Sequence, residues 1–554
     1  MQAKTIAGIL RSRADSSQAD KLAIRFKLAD RWVEWTWREY WKTARSAEAG
    51  LVAAGVRAGD SVLILVPEIQ SAVTSLFGVW ALGAVPIQIG LPFHVSNFAA
   101  FLNQLPITAR RLDARFVILS KTLADIAPDL GELRVVVAED LPRSQPAGPL
   151  PDPDDAPGPA FLQLTSGSTG HPRAVVASHD RLLLHMASMS AALPSHSASM
   201  AVSWLPLHHD MGLLGGLLFP FYNGFPAHVI STADFRSRPG CWLEAMSRFR
   251  GTITAAPPSA YAICLQVAHR LRAAHLDLSA WECAMVGAEP ISPDLVRNFV
   301  RAFSPCGFRA EAFFPVYGLA EATVAVTFPT LLASTRYDRV DRLMLETEHR
   351  AVPCGEGSRT LELVGVGRPI PSTEIQIVDD AGRPLPDRMV GEILVRSSSL
   401  MLGYHGESAA TAAAFRDGWL LTGDLGYQAD GSLFITGRKK EIIIKGGHNL
   451  IPGVIEEIVS GVDGVRMGCV AAVGVRSAEQ ETEMVFVVAE TRLGVELHKA
   501  LTERIREALK IQGVNVDRIV LVAPKSLPKT TSGKLKRFEV AQALQASTPI
   551  GAGT

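Results

Sequence analysis

The segment of this sequence best suited to chemistry is a short loop rich in glycine and hydroxyl side chains. It lies between two apolar runs typical of strands, AFLQLT and AVVAS. Backbone N–H and hydroxyl groups in such a loop can converge on the oxygens of a polyphosphate. The Gly-Lys-Ser/Thr ending of a Walker A loop is missing, and the alternative is a polar turn without a ligand. The candidate phosphate ligands are Thr165, Ser166, Gly167, Ser168, Thr169, Gly170 and Arg173.

Two later segments could bind the rest of a nucleotide. Residues 317–321, YGLAE, combine a tyrosine ring that can cover a base, a glycine that permits close backbone approach and a glutamate that can hold Mg²⁺. Residues 422–424, TGD, place a carboxylate in a tight turn, where it could accept two ribose hydroxyls. Each segment alone is a weak indication of function.

Two basic segments complete the set. Residues 437–441, GRKKE, precede an apolar run and a Gly-Gly pair. Residues 528–534, PKTTSGK, end in a glycine-flanked lysine near the C-terminus. Taken alone, Lys534 would be interpreted as a solvated surface charge.

Together and in this order, the five segments resemble the ANL superfamily of adenylate-forming enzymes, which includes acyl-CoA synthetases, peptide-synthetase adenylation domains and luciferases. Within the superfamily the chain is most similar to the fatty acyl-AMP ligases. The narrower resemblance is carried by WLPLHHDMGLLGG (204–216), GAEPIS (287–292), AFSPCGFRAEAFFPVYGLAEAT (302–323) and the long segment that follows.

The resemblance implies a role for each candidate residue, with ATP and Mg²⁺ as cofactors. It implies that Lys534 lies between the substrate carboxylate and the α-phosphate, and that Thr165 and Glu321 hold Mg²⁺. His209, followed by Asp210, would border the acyl channel or touch the nucleotide; the alternative is a structural pair that caps a helix. The other implied nucleotide ligands are Gly287, Ala288, Glu289 and Tyr317 at the adenine, Asp424 and Arg438 at the ribose, and the neighbouring Gly318 and Leu319.

The implied reaction is the ATP-dependent activation of a fatty or similar apolar acid to acyl-AMP, with release of pyrophosphate. The acyl group then passes to the phosphopantetheine thiol of an acyl carrier protein or, alternatively, to coenzyme A. The segment 325–364 favours the carrier protein, because acyl-AMP ligases carry extra residues there that hinder use of coenzyme A; the alternative is a solvated loop without function. A catalytically silent ATP-binding scaffold is a third hypothesis, and such a protein has no physical reason to keep all four of Lys534, Asp424, Glu321 and Arg438.

Three features depart from the family pattern. Arg173 stands where lysine is usual, but a guanidinium still binds phosphate, so we expect activity to survive. Leu164 stands where acyl-AMP ligases tend to have tyrosine, and the residues around Asn449 and Pro452 also differ. These differences leave open which thiol accepts the acyl group, whereas adenylation is still expected.

The apolar pattern predicts an α/β fold that positions these segments. Continuous apolar runs such as SVLILVP and RFVILS alternate with amphipathic helices, as in a parallel sheet covered on both faces. We expect a large N-terminal domain (1–437) with parallel-rich sheets, covering helices and a β-rich subdomain, interrupted by a Pro-rich surface linker (142–159). The pattern of residues 438–554 predicts a small α+β domain. The resemblance implies that this domain is mobile about a hinge at Lys440.

Charge and cysteine content exclude several classes of function. The 55 basic and 55 acidic residues balance, so no sequence-wide field favours nucleic acid or an anionic membrane. Six cysteines without Cys-x-x-Cys spacing predict reduced thiols in a cytoplasmic protein. The uncharged stretch 211–233 is long enough to span a membrane, but Pro220, Pro226 and the Asn223-Gly224 pair interrupt it. We therefore expect a buried, ligand-lining helix–loop–strand there.

Overall fold

The structure, a computed structural model, describes residues 3–91, 98–141, 150–155, 158–165, 172–273, 275–357, 359–446, 448–476, 483–530 and 533–546. The predictions for Ser166, Gly167, Ser168, Thr169 and Gly170 therefore lie outside the described residues, as do residues 142–149 and 156–157 of the predicted linker.

Residues 3–315 alternate strands with helices, as the apolar pattern predicts. Both faces of the strands are covered, and Leu63, Ile64 and Leu65 of one central strand are each 0% exposed. The strands are β1 (Leu22–Leu28), β2 (Arg31–Thr36), β3 (Ser61–Leu65), β4 (Val85–Gln88), β5 (Ala114–Leu119), β6 (Arg134–Val137), β7 (Phe161–Leu164), β8 (Ala174–Ala177), β9 (Ala201–Ser203), β10 (Ala227–Val229), β11 (Ile253–Ala256), β12 (Cys283–Val286) and β13 (Phe313–Pro315). The helices are α1 (Ile6–Ala14), α2 (Trp37–Ala53), α3 (Ile69–Ala81), α4 (Phe98–Asn103), α5 (Leu105–Arg111), α6 (Lys121–Ile126), α7 (His179–Ala192), α8 (Phe219–Asn223), α9 (Thr232–Ser237), α10 (Gly240–Arg248), α11 (Pro258–Gln266), α12 (Ala268–Ala273) and α13 (Pro293–Phe303).

Residues 316–438 are mainly β-structure, and residues 439–546 form a smaller α+β unit. The elements of the first part are β14 (Thr327–Phe328), β15 (Tyr337–Asp341), α14 (Arg342–Glu348), β16 (Thr360–Val364), β17 (Arg368–Pro369), β18 (Thr373–Val378), β19 (Gly391–Ser397), β20 (Gly403–Tyr404), α15 (Ser408–Ala414), β21 (Phe415–Arg416), β22 (Trp419–Ala429) and β23 (Ser432–Arg438). Those of the second are β24 (Ile443–Lys445), β25 (His448–Leu450), α16 (Pro452–Ser460), β26 (Val465–Arg476), β27 (Glu483–Thr491), α17 (His498–Ile511), β28 (Arg518–Val522) and α18 (Arg537–Gln545).

Two seven-stranded sheets form the larger part of the fold. The first has the order β13-β12-β11-β9-β10-β1-β2 and is parallel except at β1–β2. The second has the order β20-β8-β7-β4-β3-β5-β6 and is parallel from β7 to β6. At its other end, β7, β8 and β20 are antiparallel. Ile24 and Val202 of the first sheet share a buried cluster with Val62 and Phe161 of the second, so one core joins the two sheets.

The β-rich subdomain is an antiparallel sheet with the order β18-β19-β22-β21, in which β23 also pairs with β22. The pairing of β22 with β23 sets Asp424 opposite Arg438. Two residues that the sequence separates by a strand and a turn are thereby brought side by side.

The C-terminal unit has cores of its own. Strands β26 and β27 are antiparallel, and β28 is parallel to β27. Ile455 of α16 and Leu501 of α17 pack in one cluster, while Val540 of α18 packs with Val473 of β26 in another. This smaller C-terminal domain confirms the predicted fold class, and its boundary at residues 437–438 stays a prediction.

Residues 211–233 form the expected buried helix–loop–strand, with one difference. Met211–Leu218 is a π-helix that continues directly into α8. The predicted break at Pro220 is wrong, because Pro220 lies where the π-helix passes into α8 and the helix continues through it. Helix α8 ends instead at Gly224, which has a φ of 80°. None of the described helices is long and apolar enough to cross a bilayer.

Candidate active site

The predicted site segments meet at the carboxyl ends of neighbouring strands. His209 follows β9, Gly287 follows β12 and Tyr317 follows β13, and these strands run parallel in the first sheet. Loops at the carboxyl ends of parallel strands open into one crevice. A cleft of about 2830 Å³ lies there, and Lys534 of the C-terminal unit also lines it. This volume exceeds the roughly 300–1,000 Å³ of ordinary ligand pockets, so the cleft can hold a nucleotide and a second substrate together.

Asp424 is the centre of a buried polar cluster. The Tyr317 hydroxyl donates to Asp424 Oδ2 at 2.8 Å, and Arg438 Nε donates to Asp424 Oδ1 at 2.9 Å. The backbone N–H of Asp424 donates to Thr422 Oγ1 at 3.0 Å, which tightens the turn. Burial and then Asp424 raise the pKa of Tyr317, and Asp424 raises the pKa of Arg438. The cluster therefore presents a neutral phenol, a carboxylate and a permanent cation to the cleft.

The two ends of the loop that carries Glu321 are hydrogen-bonded to each other. The backbone N–H groups of Val326 and Thr327 both donate to the carbonyl of Tyr317, at 2.9 and 3.1 Å. A Cβ on Gly318 would lie 1.7 Å from the carbonyl oxygen of Val324, so only glycine fits there. We call residues 317–327 the Glu321 loop. Its two sides touch, which leaves Glu321 at the tip.

Tyr404 links Glu321 to the phosphate-binding candidate Arg173. The Tyr404 hydroxyl donates to Glu321 Oε1 at 2.9 Å. The Arg173 guanidinium carbon lies 5.0 Å from the centroid of the Tyr404 ring, and Arg173 Nε lies 3.3 Å from Glu407 Oε2. Burial and then Glu321 raise the pKa of Tyr404, so its hydroxyl stays protonated and donates. One tyrosine thus joins two predicted ligands of the triphosphate.

The ends of the 165–173 loop are held together. The backbone N–H of Thr165 donates to the carbonyl of Arg173 at 2.8 Å, and Thr165 Oγ1 donates to the same oxygen at 3.3 Å. Strands β7 and β8 continue this pairing on the far side. Thr165 and Arg173 both line the cleft, as predicted for phosphate ligands.

His209 and Asp210 line the cleft and also form a hydrogen-bonded pair at a helix start. His209 Nδ1 lies 2.7 Å from Asp210 Oδ1, and Asp210 Oδ1 also accepts from the N–H of Met211 at 2.7 Å, where the π-helix begins. The pair therefore caps a helix. Burial raises the pKa of Asp210, but His209 and then Lys534 outweigh it and hold that pKa below its usual range. Asp210 thus marks where the Lys534 charge enters the cleft.

The segment predicted to bind adenine lines the cleft with Ala288 and Glu289, but one of its side chains is already hydrogen-bonded. A Cβ on Gly287 would lie 2.8 Å from the carbonyl oxygen of Val316, and Ala288 has a φ of 67°, so the two chain segments touch. The Glu289 carboxylate accepts from the backbone N–H of Ser259 at 3.1 Å and from its hydroxyl at 3.2 Å. The backbone of 287–289, rather than the Glu289 carboxylate, is therefore what this segment offers to a base.

Lys440 lies in a turn between the β-rich subdomain and the C-terminal unit. The backbone N–H groups of Glu441 and Ile442 donate to the carbonyl of Arg438, at 2.9 and 3.1 Å. On the preceding side, Lys439 Nζ lies 2.8 Å from Asp380 Oδ1 and 3.2 Å from Glu392 Oε2. The chain is thus anchored immediately before Lys440. The role of Lys440 as the hinge stays a prediction.

Apolar residues of the π-helix, of strands of the first sheet and of neighbouring elements line one part of the same cleft, which we call the apolar channel. Its lining side chains and backbone come from Met189, Met211, Gly215, Ala255, Met285 and Phe328. Such a lining suits a hydrocarbon chain and offers no partner to a charged substituent.

Comparison with known proteins identifies the fold and the family. Residues 10–405 match the model of the family described as "AMP-binding enzyme", and this match spans more than half of the chain. The chain belongs to the AMP-binding enzyme family. Its members join a substrate to AMP, so the protein is an ATP-dependent adenylate-forming enzyme, and the predicted superfamily is confirmed.

Relatives of this AMP-binding enzyme have names that differ in the acceptor. It is 33% identical to a Caulobacter vibrioides protein named "Putative acyl-CoA synthetase", over 90% of this chain and 88% of the relative. It is 32% identical to the medium-chain-fatty-acid–[acyl-carrier-protein] ligase JamA of Moorena producens, over 86% of this chain and 84% of the relative. A solved structure from a study of fatty acyl-adenylate ligases of E. coli and L. pneumophila matches with a TM-score of 0.88 at 31% identity, covering 98% of both chains.

Several residues of this AMP-binding enzyme's site were not predicted from the sequence. Tyr404 and Glu407 contact Glu321 and Arg173, respectively, although they follow the 165–173 loop by more than 200 residues. A two-residue strand, β20, brings them to the cleft, and so short an apolar signal is not recognisable in a sequence. Ser259, the partner of Glu289, likewise has no motif around it.

Proposed function

We propose that the protein activates a fatty or similar apolar carboxylic acid as its acyl-AMP and passes the acyl group to the phosphopantetheine thiol of an acyl carrier protein. The observation that carries this proposal is the convergence of three features on one cleft. Lys534 influences Asp210 from the C-terminal unit, the Asp424 cluster offers ligands for a ribose, and the channel lined by Met211 and Met285 is apolar.

The chemistry requires cations on the path between the two substrates. A carboxylate is a poor electrophile because an oxide would have to leave, and the mixed anhydride with AMP removes this obstacle. Carboxylate and triphosphate repel each other as they approach, so positive charge must stabilise the transition state. Lys534 supplies a compact ammonium for this purpose, and Arg173 supplies a guanidinium for the phosphates. Asp424 and Arg438 would hold the ribose, and Tyr317 with the 287–289 backbone would hold the adenine.

The residues present fit a magnesium ion carried in with ATP. Mg²⁺ binds enzymes through one or two carboxylates, with substrate phosphates and waters completing its shell. Among the described residues there is no cluster of three or more histidine, cysteine, aspartate or glutamate side chains. Glu321, held by Tyr404, and the Thr165 hydroxyl are the donors we propose for the ion. When bound, Mg²⁺ neutralises charge on the phosphates.

The choice of a carrier protein as acceptor is supported by the segment 325–364. Strands β15 and β16 form a hairpin around α14, and Val340, Leu345 and Leu361 are buried with Tyr427 of the β-rich subdomain. Arg342 donates from this element to the carbonyl of Gln512 in the C-terminal unit. His349 Nε2 lies 3.4 Å from Asn449 Nδ2, also in the C-terminal unit. We propose that these contacts keep the C-terminal unit from reaching the positions in which coenzyme A could accept the acyl group.

The test of this proposal is a measurement of pyrophosphate release against a panel of carboxylic acids of graded chain length. We expect ATP- and Mg²⁺-dependent release with apolar acids and little with short polar ones. A phosphopantetheine-loaded carrier protein and coenzyme A would then be compared as acceptors at equal concentration. Release with no apolar acid would reject the proposal. Equal rates with both acceptors would favour the acyl-CoA synthetase alternative.

The contact between Arg342 and Gln512 gives a sharper test of the acceptor. We expect Arg342→Ala to raise the rate of acyl-CoA formation by about 5–10-fold, because losing a contact of roughly 1 kcal/mol frees the C-terminal unit. A larger gain is expected when residues 342–359 are replaced by Asn-Gly, because Asp341 and Thr360 already face each other across the hairpin. The adenylation rate should change less than about 2-fold.

Arg336→Ala is the matched control, because Arg336 donates to the carbonyl of Asp430 within the β-rich subdomain at 2.8 Å. It should leave the use of coenzyme A unchanged. A gain in both variants, or in neither, would show that the contact with the C-terminal unit does not select the acceptor.

A further inference from the structure

The tip of the Glu321 loop contains a strained turn. Thr323 has φ 68° and ψ −65°, and the N–H of Val324 donates to the carbonyl of Ala322 at 2.9 Å. This geometry is a γ-turn with positive φ, which is rare and costly for a β-branched residue. Such a conformation persists only where its surroundings determine it. Because Thr323 lies two residues after Glu321, whatever holds this turn also sets the direction of the Glu321 carboxylate.

A buried histidine of α7 hydrogen-bonds to the chain immediately after the strained turn. His185 is 0% exposed, and its Nε2 accepts from the backbone N–H of Ala325 at 3.1 Å. Its Nδ1 lies 2.9 Å from the Ser399 hydroxyl. An amide N–H can only donate, so Nε2 carries no proton and Nδ1–H donates to Ser399. Burial lowers the pKa of His185 to about 3, which agrees with a neutral ring in this tautomer.

The same face of α7 also holds the chain that leads to Tyr404. Arg181 lies one helical turn before His185, and its Nη1 donates to the carbonyls of Leu400 and Met401 at 2.7 and 2.8 Å. The N–H of Met401 donates to the carbonyl of Glu321 at 2.8 Å. The Thr323 hydroxyl donates to the carbonyl of Ser399 at 2.5 Å. Helix α7 is therefore hydrogen-bonded both to the Glu321 loop and to the segment 399–401 that leads to Tyr404.

We propose that His185 is a positioning residue for the metal–triphosphate complex: it holds the strained turn at Thr323 so that Glu321 points toward the phosphates. The proposal rests on the proposed function, in which Glu321 holds Mg²⁺. Helix α7 begins just after β8, the strand that follows Arg173. One helix thus couples the 165–173 loop to the Glu321 loop. A histidine that only filled space would need neither hydrogen bond.

The test measures binding of α,β-methylene-ATP, which cannot transfer its AMP to a carboxylate, by calorimetry with Mg²⁺ and with EDTA. His185→Leu keeps most of the volume but loses both hydrogen bonds. We expect it to weaken Mg²⁺-dependent binding by about 10-fold or more, which is the usual effect of removing a group that orients a metal ligand. Binding in EDTA should be nearly unchanged. His185→Gln can accept from Ala325 and should restore binding to within about 3-fold of the wild type.

Two further variants keep the result interpretable. His179→Leu is the matched control, because His179 is also a buried histidine of α7 but lies at its first residue. His179→Leu should not change the ratio of the affinity measured with Mg²⁺ to the affinity measured in EDTA. If His185→Leu does not fold, Ser399→Ala removes the Nδ1 partner, together with the 3.1 Å contact of Ser399 Oγ with Ser397 Oγ, and should still lower that ratio.

The outcomes separate this inference from the proposed function. An unchanged ratio in both His185→Leu and Ser399→Ala would overturn the positioning role, as would an equal loss in EDTA or in His179→Leu. Absence of pyrophosphate release from the wild type with every acid would instead reject the proposed function, whatever the binding data show.

Discussion

Replacing Lys534 by alanine is expected to lower acyl-AMP formation by about 10²–10³-fold, the effect of removing one preorganised charge from a transition state. Lys534 lies in a turn that fixes its backbone. Its N–H donates to Thr530 Oγ1 at 3.1 Å, its carbonyl accepts from the N–H of Thr530 at 2.8 Å, and Gly533 has a φ of 92°. The turn thus holds Lys534 at the cleft, where its charge helps to lower the pKa of Asp210.

The measurement is single-turnover pyrophosphate release, followed by thiol transfer from acyl-AMP supplied to the enzyme. Thiol transfer should stay nearly normal in Lys534→Ala, because the charge is needed only while carboxylate and triphosphate approach. Lys536→Ala is a suitable control, since Lys536 also lines the cleft two residues away but its ammonium pairs with Glu539 at 2.6 Å. An equal loss in both half-reactions would remove Lys534 from its assigned step.

The second large effect is expected from Lys440→Pro. Proline fixes φ near −65° at residue 440 and restricts Lys439 as well. If the C-terminal unit rotates at this turn between the two steps, thioester formation should fall by about 100-fold or more, while first-turnover pyrophosphate release falls far less. The ratio of the two rates is the decisive quantity, because a general loss of folded enzyme lowers both equally.

Lys440→Ala provides the control for the proline. It removes the same side chain but leaves φ free, so both rates should remain close to those of the wild type. The contact of Ser292 with Glu457 joins the start of α13 to α16 in the state described, and rotation would have to break it. A normal thioester rate in Lys440→Pro would place the hinge elsewhere or show that no rotation is needed.

The fold could be predicted from the sequence wherever one local signal dominates. Strands such as β3 and β5 are continuous apolar runs because the sheets are covered on both faces. The π-helix at 211–218 could not be predicted, since the pattern of an apolar segment does not distinguish helix types. The prediction at Pro220 was wrong for the same reason, because Pro220 lies at the junction of the π-helix with α8, which the apolar pattern does not reveal.

The candidate site could be predicted only as a set of separate motifs. Asp424 and Arg438 meet because β22 and β23 pair in register, and Glu321 meets Tyr404 because β20 joins a sheet whose other strands precede it. Such contacts depend on tertiary structure and leave no periodic signal. His185 illustrates the limit well, because a histidine in an amphipathic helix gives no indication that it is buried, neutral and bonded to a distant turn.

The pairing of Gly403 with Val176 also constrains how the chain is made. Strand β8 leaves the ribosome with one side unpaired, and its partner β20 is synthesised only much later. At roughly 5–20 residues per second, that delay is roughly 10–45 s. Throughout this time the nascent chain exposes an open sheet edge, where other chains could add a strand. The site therefore assembles late in synthesis, and a nascent chain stopped before residue 403 would be an aggregation-prone intermediate, in which Glu321 still lacks the Tyr404 hydroxyl.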